Sequence, residues 1–66
     1  MDDDILNMSI RKFLKKVGVT SQREIESAIR AAADNGELPA SLPAKVTLSI
    51  DGIGLAVEID GTIETA

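Results

Sequence analysis

The apolar positions change their period once along the chain. In the first part they recur at intervals of three and four residues: Leu6, Ile10, Phe13, Leu14 and Val17. At about 100° per residue these five share one arc of a helix, and Arg11, Lys12, Lys15 and Lys16 fall on the opposite arc. The pattern predicts a helix from near Asp4 to Val17. Asp2, Asp3 and Asp4 supply its cap and complement its positive end, and Lys15 and Lys16 suit its last turn. Gly18 fits the left-handed position that ends a helix, with Val19 packing back onto Leu14. Ser21-Gln22-Arg23-Glu24 reads as a capping box that opens a second helix. Ile25, Ala28, Ile29, Ala32 and Ala33 form that helix's buried face, and Asn35-Gly36 stops it. The expectation is a compact helical pair over residues 4–35.

Beyond Gly36 the period shifts to two. Residues 37–44 hold Pro39 and Pro43 and read as an extended connector anchored by Leu38 and Leu42. Val46, Leu48 and Ile50 then alternate with Lys45, Thr47 and Ser49. Leu55, Val57 and Ile59 alternate with Ala56, Glu58 and Asp60. Asp51-Gly52 between them marks a tight turn, so residues 45–64 are expected to form a β-hairpin with one apolar and one polar face. Two registers satisfy this pattern. A two-residue loop sets Lys45 opposite Glu58, and a four-residue loop, residues 51–54, sets Lys45 opposite Asp60. Asp60-Gly61 repeats a turn signal, but continuing the strand keeps Ile59, Gly61 and Ile63 on the apolar face, and the longer second strand is favoured.

The predicted architecture is α+β, in the order α-α-β-β: two N-terminal helices packed on one face of a C-terminal antiparallel β-hairpin. It makes one domain of 66 residues, small enough that the core must be thin. Phe13 is the only aromatic residue. Domains of this size often need a disulfide, a metal or a partner chain. With no Cys a disulfide is excluded, and with neither Cys nor His a metal is not expected. Self-association remains, most simply as a homodimer. The unpaired hairpin edges suggest one form of it, a four-stranded sheet made by two chains.

Charge is distributed unevenly. The net value of −4 combines an acidic start, a basic stretch over residues 9–30 and an acidic remainder. No apolar run approaches the roughly 20 residues of a membrane span. The acidic start is unlike a secretory signal, and a cytoplasmic location is expected.

No constellation of catalytic residues is visible. Without His or Cys most nucleophile–base pairs are missing, and Asp51 and Asp60 each precede Gly, as turn residues do. There is no Gly-rich phosphate loop. An enzyme is not expected, and no cofactor is implied. The most specific feature is the basic helix face, Arg11, Lys12, Lys15 and Lys16, with Met8 exposed among them. It suits an acidic partner, although a solvated surface is the commoner meaning of such a face. A protein partner or a second copy is the leading reading. Nucleic acid is the runner-up, weakened by the overall acidity and by the lack of an aromatic residue for base stacking. A helix-turn-helix motif is matched only superficially by Phe13, Val17, Gly18 and Val19. Leu14 is too bulky for its position, and Glu24 and Ser27 stand where apolar residues belong.

Two stretches carry a resemblance. Residues 7–26, Asn7-Met8-Ser9-Ile10-Arg11-Lys12-Phe13-Leu14-Lys15-Lys16-Val17-Gly18-Val19-Thr20-Ser21-Gln22-Arg23-Glu24-Ile25-Glu26, form the stronger; Leu42-Pro43-Ala44 with residues 47–52 form the weaker. Together they resemble a family of small bacterial proteins described only as a domain of unknown function. The resemblance implies a free-standing bacterial protein of about this length and assigns no role to any residue.

Overall fold

The computed structural model describes residues 1–66 in three elements: α1 (Asp3–Asp34), β1 (Ser41–Ile50) and β2 (Leu55–Glu64). The α+β class and the C-terminal antiparallel hairpin are as expected. The helical pair is not: one continuous helix of 32 residues replaces it. Gly18 lies inside α1 and is not among the glycines with positive φ. Its cost within a helix is about 1 kcal/mol relative to Ala, less than a break would cost in unpaired backbone groups. No Pro interrupts the segment either. Ser21 is likewise internal, and the expected capping box does not form; Gln22 Nε2 instead donates to Glu26 Oε1 at 3.1 Å, one turn along the same face. Val19 does not fold back onto Leu14, because five positions in one helix put them on different faces; both are about half exposed.

Both ends of α1 are capped by local chemistry. The Asp2 carboxylate accepts from the amides of Asp4 and Ile5 at 3.0 and 3.1 Å, which makes Asp2 the N-cap. At the other end Gly36 adopts φ 72, the Glu37 amide donates to the Ala32 carbonyl, and the Gly36 amide donates to that of Ala33. This pair of bonds is a Schellman motif, and it turns the chain back along the helix.

The connector is shorter than expected. β1 begins at Ser41, so Leu42-Pro43-Ala44 belongs to the strand and the link is residues 35–40. The four-residue loop sets the register, Ile50 facing Leu55 and Lys45 facing Asp60. A tight Asp-Gly turn of the primed type would need positive φ at Asp51, whereas positive φ occurs only at Gly36, Gly52 and Gly54. The loop therefore uses both of its glycines, and Ile53 stands exposed at its tip. Gly61 continues β2 opposite Ala44, as the longer-strand reading required. Beyond the strands, the Thr65 amide donates to the Ala40 carbonyl at 2.8 Å and the Thr65 hydroxyl to the Pro39 carbonyl at 2.7 Å, fastening the tail to the connector.

Leu42, Ala44, Val46, Leu48 and Ile50 share one face with Leu55, Val57, Ile59, Gly61 and Ile63. The apolar stripe of α1 lies toward that face. The two do not close on each other: no Cα of α1 comes within 8 Å of a strand Cα, and no residue is buried. The radius of gyration is 15.7 Å, against about 11 Å for a compact chain of this length.

Candidate interaction surface

A continuous α1 redraws the basic face. Arg11, Lys12, Lys15 and Lys16 are all exposed, as is Met8 at 73%. At about 100° per residue these five occupy an arc of roughly 140°, and Arg23 and Arg30 fall within the same arc. The basic line then runs from Arg11 to Arg30, about 29 Å at 1.5 Å per residue, with Glu26 the one acid projecting into it, between Arg23 and Arg30. Two helices would have set Arg23 and Arg30 at an angle to the lysines. The apolar stripes of the two halves overlap only in part: Leu6, Ile10, Phe13, Leu14 and Val17 span an arc of about 100°, and Ile25, Ala28, Ile29, Ala32 and Ala33 span one of about 140° centred about 80° further round, so phase alone does not join the halves across Gly18.

These cations are unpaired. The one ion pair of the chain joins Lys45 Nζ to Glu58 Oε1 at 3.7 Å on the polar face of the hairpin. It is a diagonal contact, since Lys45 sits opposite Asp60 and Glu58 opposite Thr47. The sequence has no acidic residue between Asp4 and Glu24, so the first half of the arc has no local counter-charge. No three carboxylates gather into a cluster able to hold a metal ion, and Asp2 serves as the helix cap.

A second surface lies on the other side of α1. Ser9, Ile10, Phe13 and Leu14 face Leu48, Ser49, Ile50 and Asp51 across an open cleft of about 680 Å³. Chain dimensions place it. Ten-residue strands reach about 33 Å back along a helix of about 48 Å, so the first turns of α1 overhang the hairpin. Near the connector the apolar side chains Ile29, Ala32, Leu38, Leu42 and Ile63 are half-buried. At the cleft Ile10, Phe13, Leu14 and Ile50 remain 42–52% exposed.

Both sheet edges are blunted. The Thr65–Ala40 bond fixes which pairs in the ladder are hydrogen-bonded, and alternation makes Pro43–Thr62 a non-bonded pair. The missing donor of Pro43 therefore falls on the outer edge of β1. The outer edge of β2 keeps its amides but presents Glu58, Asp60 and Glu64 on the polar face. Two β2 strands paired antiparallel with their polar faces on the same side, in any register centred on a residue from 58 to 62, set carboxylate against carboxylate.

A family model described as a family of unknown function, DUF6494, matches residues 1–66. The chain belongs to this family. No curated protein and no solved structure matches it. Membership of DUF6494 brings no activity or ligand to these surfaces, whose chemistry rests on the residues themselves. No helix is long and apolar enough to cross a membrane.

Proposed function

We propose that this chain is a small, non-enzymatic protein-interaction module of the cytoplasm, whose basic arc on α1 receives an acidic protein segment. The observation that carries the reading is the line of six unpaired cations from Arg11 to Arg30, with Met8 exposed beside it. Exposed cations with an apolar neighbour offer both steering and a dry contact. The helix-turn-helix route to nucleic acid has no turn at Gly18 to rest on. Phosphate attraction would also have to overcome a net charge of −4.

The test is an affinity pull-down with the full chain beside a Lys12→Glu, Lys15→Glu, Lys16→Glu variant, with circular dichroism to verify that both are helical. A protein captured by the native chain and lost by the variant supports the reading, and sensitivity to Met8→Glu places the apolar contact. Captured nucleic acid, released steeply as salt rises, favours the nucleic-acid alternative. Equal capture by both forms moves the contact off the arc.

A further inference from the structure

We infer that two copies of this chain associate about a two-fold axis through the apolar cleft between α1 and the hairpin, each copy closing the other's cleft. This deepens the interaction-module reading by naming a second copy as one partner, at a surface separate from the basic arc.

The area supports this occupant. The chain exposes 5825 Å², whereas a compact protein of 7.0 kDa exposes about 4,000 Å². The excess is about 1,800 Å² per chain, spread over the elongated molecule, so two copies have ample surface to draw on for the roughly 2,000 Å² or more that obligate homodimers bury. That interface is of the type in which a domain core is divided between two chains, which fits a chain with no buried residue of its own. The location follows from exposure. Ile10, Phe13 and Leu14 on α1 and Ile50 on β1 converge on one opening, and their own chain leaves them 42–52% exposed. The edges are the poorer alternative, since Pro43 removes an outward amide from β1 and carboxylates line β2.

The contact is isologous, so it closes at two copies and does not extend into fibres.

Sedimentation equilibrium of the full chain tests this directly. The expected species has twice the 7.0 kDa chain mass, with a melting temperature that rises with protein concentration. Leu14→Arg places a charge at the cleft and should weaken association about 100-fold, while Lys15→Glu, on the opposite arc, leaves the dimer intact. Should Leu14→Arg fail to fold, single-cysteine variants give a second readout, because the native chain has no Cys. Ile10→Cys and Phe13→Cys should join into covalent dimers with a short bis-maleimide, and Lys15→Cys should not. A folded monomer at every concentration overturns the inference. So does a dimer that survives Leu14→Arg, or one that cross-links as well through Lys15→Cys. Binding of an acidic partner is read by the pull-down, so the two proposals fail separately.

Discussion

The two ends of the space between α1 and the hairpin are built from similar residues and finished differently. At the connector end, the Schellman turn at Gly36 and the Thr65 bonds to Pro39 and Ala40 hold the chain back on itself. Ile29, Leu38, Leu42 and Ile63 are half-buried there. At the far end Leu48 and Leu55 are half-buried as well, but Phe13, Leu14 and Ile50, just as apolar, keep 42–52% of their surface in water. No covalent or hydrogen-bonded tie joins α1 to the loop at residues 51–54. Local bonds close one end; the other has only the hydrophobic effect, which acts on whatever apolar surface is nearest, including that of another molecule. The chain thus folds one half of a core and displays the other.

The sharpest way to break this comparison is Phe13→Ala against Ile29→Ala. A half-exposed Phe in an isolated chain loses less on truncation than a core aromatic, because only about half of it is withdrawn from water. Once a second copy covers it, truncation costs about 3 to 5 kcal/mol, as for a core aromatic. Denaturant unfolding at fixed protein concentration should therefore place Phe13→Ala as the costlier change, although Ile29 is the more buried of the two in a single chain. The reverse order would make the connector end the real core.

Gly18→Pro comes next. The two halves of the molecule depend on one uninterrupted helix, and Pro at position 18 removes an amide donor and pushes its ring into the preceding turn. Relative to Gly in a helix interior the loss is about 2 kcal/mol or more. It should appear as a fall in helical ellipticity together with a lower denaturation midpoint. A neutral outcome would restore the turn between two helices.

What was legible in the sequence, and what was not, follows the range of the forces involved. The hairpin was readable because cross-strand pairing is local: alternation from Lys45 to Ile59 and the Asp51-Gly52 signal defined it within twenty residues. Its register was open because both loops keep the same faces together, and backbone conformation at Gly52 and Gly54 decided it. The stop at Asn35-Gly36 was readable for the same reason. Gly18 misled because a glycine after an apolar residue marks helix ends by frequency, whereas its cost inside a helix is small enough for fifteen preceding and sixteen following helical positions to absorb. The basic face was legible residue by residue, but its length was not, since the positions of Arg23 and Arg30 depend on that continuity. The cleft was beyond reach, because it depends on how far strands of 3.3 Å rise extend along a helix of 1.5 Å rise.

Gly18→Ala tests the same continuity with a smaller effect and the opposite sign. A Cβ at position 18 meets no atom within 4 Å, and Ala exceeds Gly in helix propensity by about 0.8–1.0 kcal/mol. The expected outcome is stabilisation of about that size in denaturant unfolding. Were Gly18 a left-handed helix terminus, the same substitution would destabilise by about 1–2 kcal/mol. The sign alone decides.

The smallest effect concerns the hairpin's polar face, far from the cleft. Lys45 and Glu58 are more than half exposed and 3.7 Å apart, so a double-mutant cycle with Lys45→Ala and Glu58→Ala should give a coupling of about 0.2–1 kcal/mol, shrinking as salt rises. Because the contact is diagonal, Asp60, which stands directly opposite Lys45, can take over as its partner when Glu58 is removed. The cycle of Lys45 with Asp60 should therefore show coupling that increases in the Glu58→Ala background. Coupling that stays with Glu58 alone would mean that the twist of the two strands holds Lys45 along the diagonal, and that the hairpin is stiffer than a two-stranded sheet open on both edges needs to be.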